Sequence, residues 1–79
     1  MIKKKDLIKI IAKALNISPS KISEKTKSED IEEWDSLGRL SIISAIHKKL
    51  GKNANLNGLP EAKSVKKIIT ILIKNKHLK

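Results

Sequence analysis

Apolar residues recur at helical spacing in three segments of this chain, over residues 5–15, 36–50 and 64–74. At about 100° per residue, the apolar side chains of each segment share one arc of a helix. The arcs consist of Leu7, Ile8, Ile10, Ile11, Ala14 and Leu15 in the first segment, Ile42, Ile43, Ile46 and Leu50 in the second, and Val65, Ile68, Ile69 and Leu72 in the third. Gly51 is suited to end the second helix. The pattern predicts an all-α fold with three main helices.

The third segment has a competing interpretation as a strand, because its run from Ile68 to Ile73 is rich in β-branched residues. We favour a helix, since no second strand is available to pair with it. Ser64 precedes the segment as a candidate N-cap. A short fourth helix is predicted near residues 58–62, and residues 75–79 are expected to fray.

The 20 residues between the first two helices, residues 16–35, predict a long loop. Pro19, the serine, threonine and asparagine content, and the lack of periodicity argue against a sustained element. A loop of this length in a compact domain is unusual and is often functional. We expect four apolar side chains to hold it against the core, namely Ile17, Ile22, Ile31 and Trp34.

The length of 79 residues fits one small domain, which we predict to span residues 1–79 and to be monomeric. Its core is almost purely aliphatic, with 14 Ile, 9 Leu and one Trp. The lack of cysteine excludes disulfides and any side-chain thiol nucleophile. His47 and His77 are 30 positions apart with no acidic residue near either in sequence, so neither a metal site nor a triad is predicted. Because no apolar run is long enough for a signal peptide or a membrane span, the expected compartment is the cytosol.

The formal net charge is +10, from 17 Lys and one Arg against 8 acidic residues. Such a balance first suggests nucleic acid or an anionic membrane as a partner. We favour a compositional bias, because the lysines are scattered and are enriched together with isoleucine and asparagine. A small basic helical protein that binds nucleic acid stays open as a second hypothesis, although Trp34 is its one aromatic residue. An interaction bundle without a prosthetic group is a third.

The segment from Glu32 to Gly38, with the sequence Glu-Glu-Trp-Asp-Ser-Leu-Gly, joins the long loop to the second helix. Either Asp35 or Ser36 can cap that helix by accepting hydrogen bonds from its free N–H groups. A serine at this place also projects its hydroxyl where those N–H groups and the helix dipole favour an anion. Gly38 removes bulk beside the serine, and no neighbour in sequence is suited to activate Ser36 as a nucleophile. The segment therefore indicates a serine that another enzyme modifies.

The motif Asp35-Ser36-Leu37 resembles the attachment motif of the acyl carrier protein family, which includes the peptidyl carrier domains. The wider segment from Glu33 to Gly38 is similar to stand-alone carriers and to carrier domains of peptide assembly lines. The resemblance covers most of the chain, from an amphipathic first helix and a long loop to a second helix ending at Leu50 and a last helix. It implies a small four-helix bundle, with three main helices and one short one.

The resemblance implies that Ser36 receives 4′-phosphopantetheine from coenzyme A through a phosphopantetheinyl transferase, with Asp35 and Leu37 flanking the attachment site. The thiol of this arm would carry acyl or aminoacyl groups as thioesters. A loading ligase would supply them and downstream acyl-transfer enzymes of fatty acid or secondary metabolite biosynthesis would receive them. The protein would then be a carrier and not an enzyme.

Partner enzymes are expected to dock on the outward arc of the second helix. The candidate contact residues are Leu37, Leu40, Ser44, His47 and Lys48. The charge of this helix differs from that of the family, since typical acyl carriers have acidic residues along it. Here the acidic residues cluster just before the helix, at Glu29, Asp30, Glu32, Glu33 and Asp35. The charge pattern indicates a dedicated set of partner enzymes.

Overall fold

A computed structural model of the chain describes residues 2–51 and 54–78. Its α-helices are α1 (Lys4–Ala14), α2 (Ser36–Leu50) and α3 (Val65–Lys74). Three-residue 3-10 helices lie at Pro19–Lys21, Ser28–Asp30 and Leu59–Glu61. The only β-type pairings in the described residues are two isolated bridges. The prediction of an all-α fold with three main helices is confirmed, and the isoleucine-rich third segment is a helix.

The end of α1 is set by Asn16, which adopts the left-handed conformation with a φ of 58°. The N–H of Asn16 donates to the carbonyl of Lys13 at 3.1 Å, and that of Ile17 donates to the carbonyl of Ala12 at 2.9 Å. This is a Schellman motif, in which asparagine is the usual substitute for glycine. The turn brings Pro19–Lys21 back against α1. Ala12, which the apolar pattern did not include, is buried.

One apolar core joins the helices and the loops. Its buried members are Ile2, Leu7, Ile11, Ala12, Leu15, Ile22, Trp34, Ile42, Ile46, Leu59, Ala62, Val65, Ile68, Ile69, Ile71, Leu72 and Leu78. The remaining residues of the predicted arcs are half-buried at the edge of this core, at Ile8, Ile10, Ala14, Ile43 and Leu50. Ile71 is buried in addition because the turn at Gly58 passes beside its side chain.

The loop over residues 16–35 is attached to the core through the four apolar residues that were expected to hold it there. Ile22 and Trp34 are buried, and Ile17 and Ile31 pack half-buried against the core. The four predicted contacts are therefore confirmed.

The middle of this loop is also hydrogen-bonded to the start of α3, which the sequence did not indicate. Thr26 is buried, and its hydroxyl accepts from the N–H of Ser23 at 2.9 Å. The Thr26 carbonyl accepts from the N–H of Val65 at 3.0 Å, and the Lys63 carbonyl accepts from the N–H of Ser28 at 2.7 Å. These bonds join the backbone of the loop to the start of α3 and fix the loop at its centre.

The predicted short helix near residues 58–62 appears as the single 3-10 turn Leu59–Glu61, with Leu59 and Ala62 buried beneath it. It is too short to count as a fourth α-helix. Residues 52 and 53 of the preceding turn-rich segment lie outside the described residues.

The C-terminal segment differs from the expectation that residues 75–79 fray. Leu78 is only 3% exposed and forms an isolated parallel bridge with Ile2. The N–H of Ile2 donates to the carbonyl of His77 at 2.8 Å. The expectation was therefore wrong for the described part of the segment, and Lys79 lies outside the described residues.

The physical reason is a second Schellman turn. Lys76 has a φ of 62°, and the N–H of His77 donates to the carbonyl of Leu72 at 2.8 Å. This turn reverses the chain after α3 and returns Leu78 to the core. A lysine is an unusual residue in the left-handed region, so its type gave no signal for the turn.

We expect Leu78→Ala to lower the free energy of unfolding by about 1–2 kcal/mol. This is less than the roughly 2–5 kcal/mol of an internal Leu→Ala change, because a terminal segment can detach while the rest stays folded. The matched control is Ile73→Ala, since Ile73 is 46% exposed and should change stability by less than about 1 kcal/mol. Urea denaturation measures both. Equal stability of the wild type and Leu78→Ala would show that the C-terminal contact does not form.

Candidate functional site

Ser36 is the first residue of α2, and Asp35 is the N-cap. The Oδ1 of Asp35 accepts from the N–H of Gly38 at 2.8 Å, and the Asp35 carbonyl accepts from the N–H of Arg39 at 2.8 Å. Of the two candidates for the cap, Asp35 is therefore the one that caps α2. Asp35 satisfies the helix end, and the Ser36 side chain has no capping role.

The Ser36 hydroxyl is accessible. The residue is exposed, and no hydrogen bond joins its hydroxyl to another side chain or backbone group in residues 2–51 and 54–78. The first N–H groups of a helix have no intrahelical partner and carry partial positive charge. A negatively charged group attached to this hydroxyl would be held close to them. The position therefore suits a covalently bound phosphodiester.

Gly38 lies where two other parts of the protein approach α2 closely. A Cβ at this position would overlap the carbonyl oxygen of Glu33 and would lie 2.8 Å from the Cδ2 of Leu15. The glycine thus faces the protein interior and lets α2 approach both the preceding loop and α1. A glycine within a helical pattern is the signal that pointed to such a close approach.

Trp34 fixes the loop immediately before the helix. It is 5% exposed, in agreement with the interpretation of this residue as a contact between the loop and the bundle. Its Nε1 is buried without a hydrogen-bond partner in the described residues, so apolar packing holds the ring. Arg39 is half-buried, with its Nε also buried and unpartnered there. Trp34 therefore attaches the loop to the core two residues before Ser36.

Two leucines beside Ser36 are open to solvent. Leu37 is 75% exposed and Leu40 is 63% exposed. They line a shallow groove along α2, whose members are Leu37, Leu40, Ser41, Ser44, Ala45 and Lys48. Burial in the core does not account for these leucines, so this groove is an apolar surface available for docking.

The structure brings most of the predicted contact residues together. Four of the five candidates on α2 line the groove, at Leu37, Leu40, Ser44 and Lys48. His47 is exposed on the same helix but does not line it. Ala45 and Ser41 belong to the groove and were not among the candidates. The apolar pattern did not assign Ala45 to the inward arc, and the structure shows it half-buried.

Charge is distributed unevenly along α2. Five acidic residues lie in the last seven positions before it, and His47, Lys48 and Lys49 lie in its last turn. All five acidic residues are exposed. The one ion pair within residues 2–51 and 54–78 joins Lys4 to Glu24 at 3.4 Å, so no basic side chain described here neutralises the acidic cluster. A partner at this site meets negative charge near Ser36 and positive charge at the far end of the helix.

No group of three or more histidine, aspartate and glutamate side chains in the described chain could hold a metal ion. Within residues 2–51 and 54–78, none of the helices has the length and apolar character needed to cross a membrane.

Comparison with protein-family models, with curated proteins and with solved structures found no match for this chain. The resemblance to carrier proteins therefore rests on the motif around Ser36 and on the order of the helices.

Proposed function

We propose that this protein is a carrier of the acyl or peptidyl carrier class, with 4′-phosphopantetheine attached to the Ser36 hydroxyl. The attached group would supply a thiol that holds acyl or aminoacyl cargo as a thioester. The observation that carries the proposal is the division of roles at the start of α2. Asp35 caps the helix, and the exposed Ser36 hydroxyl has no hydrogen-bond partner in the described chain.

The residues around Ser36 fit a prosthetic group of this kind. The phosphodiester carries negative charge, which the N-terminus of α2 favours. The exposed Leu37 would give the enzyme that adds the group an apolar contact next to the acceptor hydroxyl. On either side of the acceptor, Trp34 is buried in the core and Gly38 lies close to the Glu33 carbonyl, so both flanks of Ser36 are packed against the protein.

The helix arrangement is compatible with this class. The resemblance implies a short fourth helix, and the 3-10 turn Leu59–Glu61 lies between α2 and α3 in the chain, where that helix is expected. In this proposal the protein is a monomer of the cytosol and not an enzyme. Its partners are a phosphopantetheinyl transferase, a loading ligase and downstream acyl-transfer enzymes.

The direct test is the intact mass of the full chain after incubation with coenzyme A and a broad-specificity phosphopantetheinyl transferase. We expect the mass to rise by that of a single phosphopantetheine group, and peptide mapping to locate the group on Ser36. An unchanged mass with several transferases that modify a known carrier in parallel would refute the proposal.

A second prediction concerns the docking surface. Leu37→Ala should lower the kcat/KM of transfer to this protein by about tenfold, and Lys48→Ala by less than about threefold. The reason is that buried apolar contacts carry most interface energy, whereas rim charges chiefly change the association rate. Steady-state kinetics with each variant as the substrate measures the effect. Thermal unfolding is the control, because an early melt of Leu37→Ala with normal kinetics would place Leu37 in the core.

The net charge of +10 favours a second candidate, a small basic helical protein that binds another protein or nucleic acid without a prosthetic group. The acidic cluster before α2 argues against a nucleic-acid surface there, because phosphates would meet unneutralised carboxylates. Tight binding of a duplex oligonucleotide at physiological salt would favour this candidate.

A further inference from the structure

A groove between α1 and α2 combines an apolar floor with a basic rim. The floor consists of half-buried Ile10, Ala14 and Ala45, and the rim consists of exposed Lys13, Lys48 and Lys49. No acidic side chain lines it. We call these six residues the lysine groove.

The positive charge of the lysine groove is not neutralised within the described chain. The single ion pair found in residues 2–51 and 54–78 involves none of its lysines. Like charges gathered from two helices repel one another, and an anionic group placed between them would relieve this repulsion. The half-buried aliphatic floor adds a surface that an apolar side chain would cover. The groove thus complements a ligand that is both acidic and apolar.

The lysine groove is continuous with the surface around Leu37 and Leu40. Ala45 and Lys48 line both grooves, so a protein seated on one extends naturally onto the other. Along α2, Lys48 lies 12 residues after Ser36, which corresponds to about 18 Å of helix. A single protein partner of ordinary interface size would span that distance.

We propose that the lysine groove binds an acidic, amphipathic segment of the partner protein that docks on Leu37 and Leu40. This proposal rests on the proposed carrier function for the docking surface, and it names the chemistry of the partner. A protein fits better than nucleic acid or an anionic membrane for two reasons. The apolar floor and the exposed leucines contribute to a partner with apolar side chains and not to a nucleic-acid backbone, and the acidic cluster at the other end of α2 repels a polyanionic surface such as nucleic acid or an anionic membrane.

The test uses the full chain, labelled with ¹⁵N and with Ser36 unmodified, and a synthetic helical peptide of glutamate and leucine at amphipathic spacing. A peptide with lysine in place of glutamate is its counterpart. We expect the glutamate peptide to shift the amide signals of the lysine groove, with an affinity that falls as salt is raised. The lysine peptide should not bind there.

Two double variants show whether binding depends on the lysines of the groove or only on the net charge of the protein. Lys13→Glu with Lys49→Glu alters the groove, and Lys9→Glu with Lys66→Glu alters exposed lysines of α1 and α3 outside it. Each Lys→Glu change lowers the charge by two, so both doubles carry 10 − 4 = +6. The groove double should weaken peptide binding by about tenfold or more, and the control double by less than about threefold.

Several results would overturn this proposal. They are no binding of the glutamate peptide, equal weakening by the two doubles, or stronger competition by a duplex oligonucleotide or by phosphatidylglycerol vesicles than by the peptide. Self-association of the chain that only the groove double abolishes would assign the groove to a second copy instead. These outcomes are independent of Ser36 loading. A chain that is loaded but does not bind the peptide refutes the groove alone, and a chain that binds the peptide but cannot be loaded refutes the carrier function.

Discussion

Ser36→Ala should abolish phosphopantetheine loading completely, so that the intact mass of the variant stays unchanged after the transferase reaction. The change removes the acceptor oxygen, and no other serine in the described residues is the first residue of an α-helix. Of the other serines, Ser64 uses its hydroxyl to cap α3 and accepts from the N–H of Lys67 at 3.1 Å. Ser23 accepts from the N–H of Lys25 at 3.2 Å. Both hydroxyls therefore already accept a hydrogen bond from a backbone N–H, unlike that of Ser36.

The control for this loss is Ser20→Ala, which removes an exposed hydroxyl from the Pro19–Lys21 turn, far along the chain from α2. It should be loaded at the wild-type rate. Thermal melts of both variants show whether the fold is kept, and we expect Ser36→Ala to remain folded because Asp35 retains the cap. Full loading of a folded Ser36→Ala protein would move the attachment to another residue and remove the central argument for a carrier.

Asp35 shows how far the sequence alone could define this site. The apolar pattern and the motif located the start of α2 at the correct residue, but they left the cap open between Asp35 and Ser36. That choice depends on the φ and ψ of one residue, which adjacent residue types do not determine. Asp35 is extended and Ser36 is already helical, which settles the question in the structure.

The helices were predictable because apolar residues recur at helical spacing in all three, and the strand that competed for the third segment had no partner strand. The connections were less predictable, since their conformations depend on partners distant in sequence. Thr26 is held by Ser23 within the loop, but also by Val65 of α3. Leu78 is buried only because the chain reverses at Lys76, a residue that favours no such turn. Local pattern carries no information about either contact.

Gly38 is the part of the site whose role depends most on tertiary structure. Its hydrogen bond to Asp35 is local, whereas its contacts with Glu33 and Leu15 involve the loop and another helix. The Glu33 contact is with a backbone carbonyl, which cannot rotate away as a flexible side chain can. The packing of α2 against both neighbours therefore requires the absence of a side chain at this position.

Gly38→Ala should consequently lower the free energy of unfolding by about 2 kcal/mol. Overpacking against a rigid backbone costs about 3 kcal/mol, and the better helix propensity of alanine offsets about 1 kcal/mol of that cost. Ser44→Ala is the matched control, because it also introduces alanine into α2 but at an exposed position, where stability should rise slightly. Urea denaturation of the two variants and the wild type gives the comparison. Equal stability of Gly38→Ala and Ser44→Ala would show that α2 does not approach the Glu33 carbonyl closely. The close packing beside Ser36 described above would then be refuted.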